Sequence, residues 1–411
     1  MSISTADVVV IGGGIFGCCA AYHLAKAGVG RVVLIERSAE LAAQTSSAAA
    51  GFINLWNAGW NAAEVELERY AVAFYRALSL QHDIGFKAVG LLTLAVTSRG
   101  AQDLADSYHR ALSHLMPDEI ALLSPHEVKQ LFPLIDDTQI HAALWWPGAI
   151  RLQAPLAVQA LGYDLREAGV VIQTSTTVTG IDVAEGRVSA VQTSSGLIHT
   201  PCVVNAAGAW AGPIARMVGV SLPLFPLQVG RLVTRPLHDI PHDLPMLLVH
   251  DYHGLYLREE DGGLLIGTDN TLMHGPGLAR DIAQGFGLDS GDIQTDVAKL
   301  PIDLHRFHEW LAQSFSHVMP VLHQFDVASL RSGLPVRTLD QRHVLGQTNA
   351  VEGFYIIGGD NEVGMTHGPG LGRLLAELIT TGTTSADSTG YHPDRWTVPH
   401  AGLNPIGLPP V

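Results

Sequence analysis

D-V-V-V-I-G-G-G-I-F-G-C-C-A-A-Y-H-L-A-K-A-G-V-G-R-V-V-L-I-E-R, residues Asp7 to Arg37, decides how the rest of the chain is read. A buried apolar run, Val8 to Ile11, predicts a strand. It breaks into Gly12-Gly13-Gly14, continues as a small-residue helix from Ile15 to Ala27, and returns as a second strand, Val32 to Ile35. Glu36 closes the unit 22 positions after Gly14. Gly12 permits the tight turn out of the strand, a side chain at Gly14 would collide with an approaching pyrophosphate, and Gly17 lets helix and sheet pack closely. The helix N-terminus offers unpaired N–H groups and a positive dipole end to phosphates. Glu36 is placed to accept hydrogen bonds from an adenosine ribose and to repel a 2′-phosphate. Strand, glycines, helix, second strand and acid in register predict a dinucleotide site.

The chain has 411 residues, 47% of them hydrophobic, enough for two domains or one elaborated one. No apolar run approaches a bilayer span, and the apolar stretch at the N-terminus belongs to the nucleotide strand, so no integral membrane segment is expected. Cys18, Cys19 and Cys202 have no metal-ligand spacing, and their odd number without an export signal predicts a cytoplasmic protein. A net charge of −15 disfavours nucleic acid and anionic membranes as partners. With 20 arginines against 4 lysines, an anion pocket would be built from Arg.

Beyond Arg37, the small-residue segment Ser38 to Gly51 reads either as a capped alanine helix or as backbone passing under a flat ring. Helices are predicted over Gly59–Leu80, Arg99–His114, Ser124–Leu131, Leu152–Ala168 and Asp303–Met319, and a strand over Gly90–Val96. A meander follows in short strands at Val170–Ile172, Val178–Val183, Val188–Thr193 and His199–Val204. Val220 to Asp269 is β-rich, and Gly275 to Gly291 is a glycine-dotted loop. The last unit is a strand, Phe354–Ile357, a glycine-rich loop from Gly358 to Gly370, and a helix, Leu371–Thr380. Ser385 to Val411 reads as a Ser/Pro-rich surface tail. His305, His308 and Glu309 share a helix face with no further ligand cluster, so no metal site is expected.

The N-terminal unit, the segment Val203-Val204-Asn205-Ala206-Ala207-Gly208-Ala209-Trp210 and the segment Gly358 to Leu378 together resemble the D-amino-acid oxidase family of flavoproteins, the group of glycine oxidase, sarcosine oxidase and dimethylglycine dehydrogenase. The resemblance spans nearly the whole chain. It implies an α/β fold: a Rossmann-like FAD-binding domain (1–85, 146–218 and 326–384), a substrate domain of α+β type on an antiparallel sheet (86–145 and 219–325), and a tail (385–411). It implies FAD, bound non-covalently because no cysteine stands where monomeric sarcosine oxidases attach theirs. By the same resemblance Gly12, Gly14, Ile15, Phe16, Glu36 and Arg37 hold the ADP half. Thr45, Ser46, Ala49, Ala50, Gly51 and Phe52 line the pyrophosphate and isoalloxazine. Val178 meets the adenine, Ala207, Gly208 and Trp210 form the middle block, and Gly364, Met365 and Thr366 sit at the pyrimidine edge of the flavin. Backbone N–H groups and a helix N-terminus there would stabilise negative charge on the reduced ring.

Two departures from the family pattern stand out. Pro335, in the block Gly333 to Gly346, occupies the place where many members carry a carboxylate-binding arginine, and Arg337 could replace it. Leu265 stands where sarcosine oxidases use a lysine to activate oxygen. The expected reaction is oxidation of the C–N bond of a small amino acid or secondary amine, of N-substituted glycine type, by hydride transfer to flavin N5, with oxygen or a carrier as acceptor. Oligomers are possible. The alternative is an FAD-binding subunit of a hetero-oligomeric amine dehydrogenase. In Asp251 to Arg258, alternation puts Tyr252, Gly254, Tyr256 and Arg258 on one face. Tyr252 and Tyr256 are candidate substrate-wall residues. Arg258, Arg337 or Arg231 could grip a carboxylate, or pair instead with Glu259, Glu260 or Asp340. Glu362 could bind a cationic amine or face water.

Overall fold

A computed structural model describes residues 4–54, 62–251, 254–268 and 302–396. Tyr252, the Gly275–Gly291 loop and the segment beyond Trp396 lie outside these residues. The expected strand–helix–strand forms with Val8–Ile11, Ile15–Lys26 and Val32–Ile35. Val8–Ile11 is central in a six-stranded sheet ordered Val344–Gln347, Phe354–Gly358, Val203–Asn205, Val8–Ile11, Val32–Ile35, Val171–Gln173. All neighbours are parallel except the first pair, which gives a Rossmann-like sheet with one antiparallel edge.

Alternation along the central strands splits the core in two. Val8, Val10, Val32 and Leu34 pack against the helices Ile15–Lys26 and Gly364–Thr381. Val9, Ile11, Val33 and Ile35 face Ile181 and Val191 of a three-stranded meander. Opposite faces of each strand are thus both covered, as a parallel sheet requires. The predicted strand His199–Val204 is in fact two. Gly196–His199 closes the meander and Val203–Asn205 joins the central sheet. Pro201 lies between them and has no N–H to give a ladder.

The second sheet has eight strands, ordered Val327–Gly333, Val229–Thr234, Gly263–Gly267, Tyr256–Glu260, Met246–Val249, Leu91–Ala95, Ala142–Trp146, Ala121–Leu123. It is antiparallel at every step but one, where Met246–Val249 runs parallel to Leu91–Ala95. Val327–Gly333 therefore pairs with the second sheet; Val336–Thr338 then pairs with Leu224–Pro226 in a separate two-stranded ladder, and Val344–Gln347 returns to the first sheet. Helix Pro125–Leu131 starts in a capping box formed by Ser124 and Glu127. The helix predicted over Asp303–Met319 is shorter, Leu304–Ser314, with Asp303 accepting the Arg306 N–H as its cap.

Two further corrections concern the C-terminal part. The last helix begins at Gly364, not Leu371, and carries Pro369 inside it. Glycines and a proline in the sequence suggest a loop; in the fold they lie in the helix's first two turns. The segment 385–396 is anchored rather than loose. Tyr391 is buried, and Arg395 forms two hydrogen bonds to Asp340, at 2.7 and 3.0 Å.

Candidate functional site

Two cavities of about 350 Å³ each meet at Thr45 and Ser46. The first is built around the glycine turn. Gly12 has φ +111°, and an added Cβ would come 2.5 Å from the Ala206 carbonyl oxygen; at Gly17 it would lie 1.8 Å from the Gly12 carbonyl oxygen. These two glycines are required by the protein's own packing. Gly14 is different, because its added Cβ would meet only Ser46 Oγ, at 3.2 Å. The space above Gly14 is left open by the chain. Ser46 Oγ accepts the Ile15 N–H at 3.1 Å, so a residue from another segment closes part of the helix N-terminus.

Glu36, Arg37, Val178, Ala207, Gly208 and Trp210 line this cavity with Gly12 and Gly14. The Glu36 carboxylate is fixed by the Gly13 and Ser38 N–H groups, both at 2.7 Å. The Arg37 guanidinium lies 3.7 Å from the centroid of Trp210, a cation–π contact at the cavity wall. Phe16 does not reach either cavity. Its ring packs edge-on to His343, with centroids 6.3 Å apart. Thr176, Thr177 and Met217 also line the cavity, and nothing in their spacing announces them.

The second cavity is lined by Ile15, Ala49, Ala50, Gly51 and Phe52 on one side and by Gly364, Met365 and Thr366 on another. Thr366 Oγ1 donates to the Phe52 carbonyl at 3.1 Å, which ties the two walls together. Its third wall is the eight-stranded sheet, and here the register matters. Arg231, Gly267 and Tyr256 are direct cross-strand neighbours in one row. Gly267 opens a notch: a Cβ there would lie 2.2 Å from the Tyr256 hydroxyl. Arg231 and Tyr256 lean toward each other across it, 5.6 Å from guanidinium carbon to ring centroid.

Both residues end in unsatisfied groups. Arg231 NH1 donates to the Ala48 carbonyl at 2.8 Å, but among the described residues neither its Nε nor the Tyr256 hydroxyl, both buried, has a hydrogen-bond partner. Buried polar atoms are rarely left so, and such an exception calls for a ligand or water. Burial pushes the Tyr256 phenol up in pKa, partly offset by Arg231, so the hydroxyl stays a neutral donor.

The other arginines are engaged. Arg337 lines the cavity and pairs with Glu362, the residue whose role sequence left open. Arg258 lies outside the cavity, fully buried. Its Nε donates to the Ala50 carbonyl at 2.5 Å, and its NH2 meets Glu260 at the same distance. It supports the segment beneath the cavity rather than facing a substrate. Leu265 is buried in its strand and lines neither cavity. His305 faces Glu309 at 3.5 Å on an exposed helix surface.

Behind the second cavity runs a buried chain. His343 Nδ1 donates to the Gly359 carbonyl at 2.8 Å, leaving Nε2 to accept from His367 Nδ1 at 2.6 Å; His367 Nε2 faces Glu68 Oε1 at 3.3 Å. Burial holds both imidazoles at a pKa of about 3, so they add no positive charge at neutral pH. The adjoining loop is wound tightly, with φ +63° at Gly359, +46° at Asn361 and +69° at Glu362. Asn361 holds that conformation by accepting the Thr338 N–H at 3.1 Å and donating to the Gly359 carbonyl at 2.9 Å.

Residues 7–378 match the family described as DAO, FAD dependent oxidoreductase. The chain belongs to that family. Among its relatives are mitochondrial sarcosine dehydrogenase of Mus musculus, 31% identical over 94% of this chain and 41% of its own length, and mitochondrial dimethylglycine dehydrogenase of Rattus norvegicus, 28% identical over 95% and 45%. The chain thus spans less than half the length of these two relatives. Glycine oxidase of Geobacillus kaustophilus is 27% identical over 93% of this chain and 94% of its own. In fold, the chain resembles L-proline dehydrogenase from P. horikoshii, with a TM-score of 0.79, 24% identity and coverage of 96% and 99% of the two chains. The DAO family is FAD-dependent, and the paired cavities fit that cofactor. The opening above Gly14, where among the described residues an added Cβ would meet only a serine hydroxyl, suits a diphosphate, and the shared Thr45–Ser46 boundary lets one extended molecule occupy both sides.

No helix among the described residues is long and apolar enough to cross a membrane. Cys18, Cys19 and Cys202 are buried free thiols that line neither cavity.

Proposed function

We propose that this DAO-family chain oxidises the C–N bond of a small amino acid or secondary amine that carries a carboxylate, of the N-substituted glycine type. The imine formed hydrolyses in water. The observation that carries this reading is the notch at Gly267, where Arg231 Nε and the Tyr256 hydroxyl are both buried and, among the described residues, without a hydrogen-bond partner. A carboxylate offers each of them an acceptor, and a charge-assisted bond to guanidinium favours that anion over a neutral group. The names of the relatives, sarcosine and dimethylglycine dehydrogenases and glycine oxidase, point to the same class.

In this reading Gly12, Gly14, Ile15, Glu36 and Arg37 hold the ADP half of FAD, and Thr45, Ser46 and the N-terminus of Ile15–Lys26 hold the pyrophosphate. Glu36 binds the ribose while its backbone contacts fix its rotamer. Val178, Ala207, Gly208 and Trp210 enclose the adenosine; Ala49 to Phe52 and Gly364 to Thr366 enclose the ring system. Bound there, FAD supplies an acceptor for two electrons and a proton from the carbon next to nitrogen. The chain's own residues do the rest. Arg231 and Tyr256 fix the carboxylate and so the position of the reacting carbon. Phe52, edge-on to Tyr256 at 5.6 Å, excludes water. The neutral His343 and His367, together with the apolar walls, favour the uncharged amine, whose lone pair the reaction needs. The six-stranded sheet then serves as the cofactor domain, and the eight-stranded sheet as the substrate domain.

Anaerobic bleaching of the FAD-loaded protein tests this. N-methylglycine, N,N-dimethylglycine, iminodiacids and D-amino acids are compared with the same amines lacking the carboxylate. Bleaching by a carboxylated amine alone is the expected result. Equal bleaching by amines without a carboxylate would overturn the assignment, and a yellow protein that none bleaches would favour the subunit alternative. Peroxide formation in air then separates oxygen from another acceptor.

A further inference from the structure

Asp360 has no part in the chemistry above, yet it lines the cavity that encloses the ring system. It sits in the tight turn between the strand Phe354–Gly358 and the helix Gly364–Thr381. One carboxylate oxygen accepts the Val336 N–H; the other lies beside Gly364, where an added Cβ would come 3.4 Å from it. The loop carrying it is clamped by Asn361, and the carboxyl itself is held by the Val336 N–H.

The surrounding charges nearly cancel. Arg337, on the neighbouring strand Val336–Thr338, is paired with Glu362 of the same loop. His343 and His367 lie behind the loop, with Glu68 beyond them, and both imidazoles are neutral. Arg231 and Tyr256 line the same cavity from the sheet wall, and Glu64 lines it from the helix Ala62–Ser79. With Arg337 and Glu362 offsetting one another, Asp360 sets the charge of the loop.

We propose that Asp360 is a redox-linked proton site, whose carboxylate binds one proton when FAD in this cavity is reduced by two electrons and releases it on reoxidation. The inference rests on the family's cofactor and not on the choice of amine. With an amine substrate the balance closes. The bound ammonium loses an N–H proton, that proton forms an O–H bond on Asp360, and the neutral amine gives up two electrons and one proton from carbon. On reoxidation the Asp360 proton leaves to solvent. The physical reason is proximity in an enclosed, poorly solvated space, since negative charge added there disfavours a second negative charge. Linkage is reciprocal, so a proton on Asp360 also eases reduction. Its starting point suits the role: burial, with Glu362 assisting, already lifts the carboxyl to about 7, against the lowering by the Val336 N–H and Arg337.

Potentiometric titration of the FAD-loaded full chain with dithionite, wild type against Asp360→Asn, tests the proposal. Asparagine keeps an oxygen to accept the Val336 N–H but cannot titrate. One extra proton per two electrons is a tenfold change in equilibrium constant per pH unit, about 30 mV. Above about pH 7 the wild-type potential is expected to fall about 30 mV per pH unit more steeply than that of the variant; below, the two lines run parallel. A second readout needs only the wild type to fold. The reduced-minus-oxidised infrared spectrum at about pH 8 is expected to gain a carboxylic-acid C=O band. Equal slopes, or the absence of that band, would overturn the proposal while the bound FAD upholds the cofactor. A chain that binds no FAD would overturn both.

Discussion

At the scale of single residues, Arg231 and Gly267 carry the specificity argument, and each gives a prediction. Replacing Arg231 with Lys keeps the charge but loses the planar fork. A hydrogen bond to a charged group contributes about 1.5–3 kcal/mol, so KM for a carboxylated amine should rise roughly tenfold or more, with a smaller change in kcat. Steady-state kinetics on one substrate with and without its carboxylate checks this: only the carboxylated substrate should respond. Gly267→Ala puts a methyl group within 2.2 Å of the Tyr256 hydroxyl. Overpacking of this kind costs about 1–3 kcal/mol. The ring must shift, so kcat/KM should drop while FAD affinity, read by fluorescence, stays the same. Sequence alternation placed Tyr256 on a strand, as found, but left Arg231, Arg258 and Arg337 as open alternatives for the carboxylate. Whether an arginine is already paired depends on cross-strand register, and register is set by pairings between segments far apart in the chain.

At the scale of elements, the N-terminal strand–helix–strand was legible because its geometry is local. The last helix was not. Pro369 has no N–H, so the Met365 carbonyl, one turn earlier, loses its helical donor. The Tyr75 hydroxyl supplies the missing bond at 2.9 Å, from a helix nearly three hundred residues earlier in the chain. That long-range repair lets a proline sit inside a helix, and no local pattern reports it. Tyr75→Phe should therefore leave a buried carbonyl unsatisfied and destabilise the fold by about 1–3 kcal/mol, seen as a lower Tm. Because Met365 lines the cavity, FAD should also bind more weakly in an equilibrium titration.

At the scale of the molecule, the segment Thr45–Phe52 is held from the eight-stranded sheet and the residue that follows its edge strand. Thr45 Oγ1 accepts the Leu334 N–H at 3.0 Å, Arg231 holds the Ala48 carbonyl and Arg258 holds the Ala50 carbonyl. Arg258 belongs to a buried ionic cluster with Glu260 and Arg331. Breaking such a cluster by removing one partner costs about 3–5 kcal/mol, so Arg258→Met should melt early and release FAD in the same transition. Acid should act on the whole fold too. His343 and His367 have pKa values near 3 in the native state, below their unfolded value, so the native state binds fewer protons as pH falls and loses stability below about 6.5. Asp360, raised to about 7, acts in the opposite sense: its contribution is full below the unfolded carboxyl value and is lost as pH rises through about 7. His23 is held down by burial to about 4 in the same way, so three histidines outweigh one aspartate and stability is expected to fall from about pH 6.5 toward pH 4, which urea unfolding across that range would measure.

The order of the first sheet has a consequence for how the protein is born. Its opening strand pairs with Val203–Asn205, which in turn pairs with Phe354–Gly358. A nascent chain on the ribosome therefore carries its nucleotide unit with an apolar, unpaired edge until most of the polypeptide has emerged. Stalled fragments ending before residue 350 should cling to holdase chaperones, and the full-length chain should let go.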